Sequence, residues 1–143
     1  MSETTAFLAQ HVVELRVDDS AIDAYQHVNN SVYLQWCDHA AWSHSLALGV
    51  SVEQCVALRR GMVVHRAELD FVRGALRGDN LTAGTAIVAT DGKLRVTRRF
   101  EIRRGAELLA SARIEYVCMN LDSGRAARMP PAFVDAYARL LLR

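Results

Sequence analysis

The chain has 143 residues, of which 51% are hydrophobic and 23% charged. That length suits one domain spanning 1–143, and the composition supports a packed core rather than disorder. Lys+Arg number 17 against 16 Asp+Glu, a formal net charge of +1, which lacks the basic excess expected of a nucleic-acid binder.

The N-terminus, Met1-Ser2-Glu3-Thr4-Thr5, has no basic segment followed by an apolar one, and no run of eighteen apolar residues occurs. A soluble, cytoplasmic protein with no membrane partner is expected. Cys37, Cys55 and Cys118 are widely spaced, with no CxxC pair and no His/Cys cluster at metal spacing. They read as free thiols in a reducing compartment, and no metal is expected.

The first strand expected is His11 to Val17, where Val13, Leu15 and Val17 alternate with polar neighbours. A polar loop follows from Asp18 to about Asn29. The strongest helix then runs from about Asn30 to Leu48, with Asn29 or Asn30 as its cap. Tyr33, Trp36, Cys37, Ala40, Ala41 and His44 recur at helical spacing on one face. Few charges interrupt this helix, which predicts burial on most sides. Gly49 suits its C-terminal end, and residues 51–59 suggest a short helix.

From Met62 to Val72 the period becomes two. Val63, His65, Ala67, Leu69 and Phe71 face one way, and Val64, Arg66, Glu68 and Asp70 the other. Leu81–Thr90, Lys93–Arg103 and Leu108–Met119 read as further strands, separated by Asp91-Gly92 and by a turn at Gly105. Arg98 is the one charged member of an apolar strand face. The basic stretches Arg95–Arg99 and Arg103-Arg104 read as solvated strand faces. A last strand is expected through Leu121–Met129. Pro131 then suits the first turn of a C-terminal helix over about 131–142.

Strand, helix, then strands joined by short turns implies antiparallel neighbours. The expected class is α+β, a long central helix wrapped by a five- or six-stranded antiparallel sheet.

The stretch Asp23-Ala24-Tyr25-Gln26-His27-Val28-Asn29-Asn30-Ser31-Val32-Tyr33-Leu34-Gln35-Trp36 reads as D-x-x-x-H-V-N-N-x-x-Y-L-x-W. It resembles the signature of the 4-hydroxybenzoyl-CoA thioesterase family of hotdog-fold enzymes. Val63–Phe71 and Leu76-Arg77-Gly78-Asp79 resemble that family's second strand and the loop after it. The likeness covers about residues 12–119. Two departures stand out: many relatives carry glycine where Gln26 stands, and proline where Ala75 stands.

The resemblance implies an acyl-CoA thioesterase that yields free acid and coenzyme A. It needs no cofactor beyond the coenzyme A of its substrate. It also implies a homodimer or homotetramer with sites at the dimer interface. Asp23 is the implied catalytic carboxylate, either as nucleophile or as general base on water. Physical chemistry supports that place, because a carboxylate one loop before a helix start lies near free, partly positive N–H groups. Such a donor stabilises a developing oxyanion by roughly 3–4 kcal/mol. Read alone, Asp23 is an ordinary turn or capping aspartate.

His27 is read as lining the thioester site or as bonding the loop, and Asn30 as loop anchor or backbone oxyanion donor. Tyr33, His65 and Arg66 are the candidate substrate-binding residues, although Tyr33 and Trp36 also fit a core role. Arg66, Arg73, Arg77, Arg98 and Arg99 are the candidates for the coenzyme A phosphates. Two other readings remain: a hotdog hydratase or dehydratase, and a non-catalytic acyl-CoA-binding protein. The H-x-F-P segment of the former is absent from the sequence.

Overall fold

The computed structural model describes residues 7–141. The N-terminal stretch discussed above and Leu142 of the expected last helix lie outside them. Five strands form one antiparallel sheet: β1 (His11–Arg16), β2 (Arg60–Phe71), β3 (Asn80–Thr90), β4 (Arg95–Arg104) and β5 (Glu107–Asn120). Their order across the sheet is β1-β3-β4-β5-β2. Three helices complete the fold: α1 (Asn30–Ala47), α2 (Val52–Leu58) and α3 (Pro131–Ala138).

Helix α1 packs on β1 and β3. Strand β3 accepts it closely because the run Ala83-Gly84-Thr85-Ala86 is small and buried. The helix face expected to be internal is so: Tyr33, Cys37, Ala40, Ala41 and His44 are buried against the sheet. Burial on most sides does not hold within one chain. Leu34, Trp42 and Leu46 project from the opposite face and are exposed. Their presence explains why charge is scarce around the whole helix although only half of it is covered.

Strand β2 departs from its expected alternation. It sits at the edge of the sheet, and every side chain from Val63 to Glu68 is exposed. A bulge displaces the register there, with Val64 opposite Tyr116 but Arg66 opposite Glu115. His65 is the extra residue, so two-residue periodicity breaks at that point.

The strand expected over Leu121–Met129 is not formed. The Asn120 side chain accepts the N–H groups of Asp122 (2.8 Å) and Ser123 (3.1 Å), and Gly124 takes φ 72°. The chain turns back, and only Ala126 makes an isolated bridge, to Met119. Strand β4 starts two residues late for a similar reason. Asp91 Oδ1 accepts the N–H groups of Lys93, Leu94 and Arg95 at 2.8, 2.8 and 2.9 Å. Helix α3 ends at Ala138 and tightens into a 3-10 turn over Arg139–Leu141.

Among the described residues, no helix is long and apolar enough to cross a membrane.

Candidate active site at the start of the central helix

The loop between β1 and α1 folds on itself. Asp18 caps a 3-10 turn at Asp19–Ala21 by accepting the Ser20 N–H. Ile22 then bridges Val28, Asp23 N–H donates to His27 O at 2.9 Å, and Gln26 N–H donates to Asp23 O at 3.0 Å. Residues 22–28 are therefore a miniature hairpin whose tip is Ala24-Tyr25. Asp23 Oδ1 accepts the Tyr25 N–H at 2.9 Å, an Asx turn that fixes the carboxylate's orientation. This is the turn role that a lone aspartate would have. It occupies Oδ1 and leaves Oδ2 for other work.

Gln26 closes the hairpin in the left-handed region, at φ 66°. A side chain there costs roughly 1–2 kcal/mol relative to glycine's freedom. The family's glycine at this position thus has a backbone reason, and the present chain adopts the same conformation with glutamine.

The hairpin delivers the chain to α1. Asn29 N–H donates to Ala21 O at 2.9 Å, and the Asn29 side chain accepts the Ser31 N–H at 2.9 Å. Asn29 is thus the cap, and Asn30 is the first helical residue. Among the described residues, no protein group accepts the Asn30 N–H. That leaves a polarised donor at the positive end of the helix.

A second loop, between β2 and β3, buttresses the first. The Tyr33 hydroxyl accepts the Ala75 N–H at 2.9 Å, and Val28 N–H donates to Ala75 O at 3.4 Å. Ala75 is completely buried. Proline at this position would have no N–H to give Tyr33, so the chain's second departure from the family pattern carries a bond of its own. Gly74 lies against His27, whose Cδ2 would stand 3.3 Å from any Cβ added there. Arg104 fastens the loop's far end, bonding Asp79 Oδ2 at 2.6 Å and Glu107 Oε1 at 2.8 Å.

Asp23 and the first turns of α1 face a common cleft of about 380 Å³. Asn29, Ser31, Gln35, Trp36 and Arg16 line it as well. Ser31 and Gln35 are one helical turn apart, hence on one face. Arg16, Ser31 and Gln35 were missed in the sequence. The helical spacing from the motif was the signal for the last two, whereas Arg16 needed the register of β1.

The remaining candidates lie elsewhere. His27 is exposed, with its ring toward Gly74 and outside the cleft lining. Tyr33 is buried and bonded to Ala75, and it stacks edge-on against Trp36 and Phe71. His65 and Arg66 stand on the exposed edge strand, where Arg66 pairs with Glu68 at 2.6 Å. Arg73 pairs with Glu107 and Arg77 with Asp19. Arg98 is not on a solvated face but 3% exposed, which removes it from the surface arginines open to coenzyme A phosphates. The three thiols are free and buried, and burial pushes Cys37 up to about 12, so it holds its proton at neutral pH.

The Arg98 side chain belongs to a second polar cluster, farther along α1. It donates to His44 Nδ1 at 2.7 Å and to Ser45 Oγ at 3.1 Å. Arginine only donates, so His44 Nδ1 accepts and its proton resides on Nε2. The His44 ring stacks on His11, with centroids 5.2 Å apart. Burial, then Arg98, then His11 hold His44 down to about 4.

Comparison with known proteins gives the family and the fold. The model of the thioesterase-like superfamily matches residues 17–137. The chain belongs to that superfamily. The long-chain acyl-CoA thioesterase FadM of Escherichia coli (strain K12) is 27% identical over 114 residues, which cover 79% of this chain and 86% of that protein. The 1,4-dihydroxy-2-naphthoyl-CoA thioesterase of Synechocystis superposes with a TM-score of 0.82 at 24% identity, covering 93% of this chain and 98% of that one. A Staphylococcus aureus protein solved in complex with CoA superposes with a TM-score of 0.84 at 16% identity, covering 96% of this chain and 87% of that one. The fold is the hotdog fold, and the family agrees with the thioester hydrolase class expected from the loop motif.

Two predictions follow from the loop and the second cluster. Gln26→Gly relieves the left-handed strain at the hairpin and raises unfolding free energy by about 0.5–1 kcal/mol, measured by urea denaturation. The second concerns acid. A histidine whose folded value lies below its unfolded 6.5 binds its proton more readily when unfolded, so stability falls as pH drops from about 6.5 to about 4. Asp18, Asp91 and Asp122, held below 3.8, act at lower pH. Denaturation midpoints across that window will flatten in His44→Asn.

Proposed function

We propose that this chain hydrolyses acyl-CoA thioesters, with Asp23 as the reacting carboxylate and the Asn30 N–H as oxyanion donor. The carrying observation is the shared cleft. One wall is a carboxylate whose Oδ1 is held by an Asx turn, and another is formed by Asn29 and Ser31, which flank Asn30; Asn30 itself, whose N–H no group among the described residues accepts, is not in the lining. A thioester carbonyl laid across the helix start would place its developing negative charge on that donor, while Asp23 attacks the carbonyl carbon or takes a proton from water. Attack by Asp23 would release the coenzyme A thiolate and leave a mixed anhydride, which water then opens. The superfamily membership and the likeness to an acyl-CoA thioesterase support this substrate class. They do not choose the acyl chain.

His27 serves best as a loop residue in this reading, with its ring against Gly74. Tyr33 contributes through Ala75 rather than by touching substrate. Arg16 on the cleft wall and Arg77 beside the hairpin, with its Nη2 3.5 Å from Gln26 Oε1, are the cations best placed for coenzyme A phosphates. Buried free thiols suit a reducing cytoplasm.

The working unit is proposed to be at least a homodimer joined at β2. That edge runs twelve residues and exposes Val63, Val64 and Phe71, and Val72 follows it, also exposed. A long apolar edge left open invites pairing, and a second copy covers it most simply. His65 and Arg66 lie on this edge and would then reach a site only from across the seam.

Asp23→Asn is expected to lower kcat for thiol release by at least a hundredfold while leaving acyl-CoA binding nearly intact. Near-full turnover in that variant would end the mechanism. Light scattering is expected to show a dimer or a multiple of one, and Val64→Lys to shift it toward monomer with reduced turnover. A fully active monomer of the unaltered chain would contradict the seam.

A further inference from the structure

The second polar cluster borders a cavity of its own, of about 40 Å³, at the far half of α1. Its wall includes Asp38, Trp42, Met62, Val96, Arg98 and Tyr116. Arg98 is 3% exposed, yet none of the ion pairs among the described residues includes it. Its partners are neutral: His44, Ser45 and the Tyr137 ring, which lies 5.9 Å from the guanidinium carbon. Guanidinium carries five N–H donors, and two go to His44 and Ser45.

A buried cation without a counter-charge is costly, and it remains charged because arginine does not release its proton in proteins. Beside it, the Tyr116 hydroxyl is buried and has no hydrogen-bond partner among the described residues. A cation outside every ion pair and an unpartnered hydroxyl thus border one small cavity, whose other walls mix Asp38, Ser45 and Tyr137 with apolar side chains. A space of about 40 Å³ takes only an anionic, planar end that can lie along a guanidinium fork, with the rest of the ligand outside it.

We propose that the Arg98 cavity is a carboxylate-binding site, with Arg98 and the Tyr116 hydroxyl as donors. The carboxylate has two sources of the same chemistry. It arrives on the far end of an acyl chain, or as a free small carboxylic acid. The first source rests on the thioesterase reading above. Asp38 to Ser45 lie about 12–22 Å up α1 from Asn30, within the reach of a long acyl chain.

Asp38 is the opposing group. It is exposed at the rim and, when ionised, repels an entering anion. Burial raises its carboxyl above the usual range. On the helix side the other titratable group facing Arg98 is His44, which is uncharged at neutral pH. From α3 it is the Tyr137 phenol, likewise uncharged at neutral pH because burial pushes it up. Cys55 also lines the cavity, and burial keeps its thiol protonated.

The test uses the intact protein and ligand-observed NMR at constant ionic strength, with propionate as probe and propionamide as its neutral isostere. Saturable binding of propionate but not of propionamide is expected. Tyr116→Phe should weaken it about fivefold, the scale of one hydrogen bond, and Asp38→Asn should tighten it several-fold. Neither change removes a satisfied core contact, so both variants should fold, whereas Arg98→Met is the harsher version. A companion arm compares kcat/KM for acyl-CoAs of equal length ending in methyl or in carboxylate. A gain of about tenfold for the carboxylate, cut about fivefold in Tyr116→Phe, supports the acyl tail as source. Propionate binding without that gain supports a free acid. Absence of carboxylate-specific binding in both the unaltered chain and Asp38→Asn overturns the site and leaves a water-filled cavity. Propionate binding with no thiol release from any acyl-CoA overturns the proposed hydrolysis and leaves the site standing.

Discussion

The bond from the Ala75 N–H to the Tyr33 hydroxyl joins everything that surrounds Asp23. Tyr33 is on the first turn of α1, and Ala75 is on the loop between β2 and β3. The same Ala75 offers its carbonyl to Val28, which ends the Asp23 hairpin. Three segments distant in sequence are thereby tied at one buried point. A buried N–H left without a partner costs about 1–3 kcal/mol, so the loop cannot drift from the helix without penalty. The carboxylate and the helix start owe their shared cleft to this constraint, with the Arg104–Asp79–Glu107 pairs holding the loop from its other end.

Much of this was legible in the sequence for a physical reason. Periodicity reports burial, and burial decides most of the elements. The inner face of α1, the strands β3 to β5 and the start of α3 follow it directly. Two of the misreadings share a cause. In β2, an edge position and a bulge at His65 uncouple alternation from burial. In the segment after Asn120, side-chain bonds to backbone N–H groups turn a stretch that still looks apolar enough for a strand. Neither edge position nor local capping leaves a periodic trace.

The site was legible in part. The motif marked Asp23 and the helix start, and the structure brings both to one cleft. It did not reveal that Asn29 caps the helix while Asn30 keeps a free N–H, since either asparagine satisfies the same spacing. Gln26 and Ala75 looked like neutral departures from the family pattern. One occupies a left-handed position, and the other uses an N–H that proline lacks. Arg98 was noticed only as the odd residue on an apolar strand face. That oddness was the signal, because a charge facing inward has to be answered by something, and here the protein answers with neutral groups.

The claim at the centre is that the carboxylate and helix start cleave a thioester rather than merely hold one. Thiol release by the purified chain across a panel of acyl-CoAs tests it most directly. Saturable release is predicted, with free acid and coenzyme A formed in equal amounts. Binding of every acyl-CoA without release, or consumption of an enoyl-CoA with no free thiol, would contradict it.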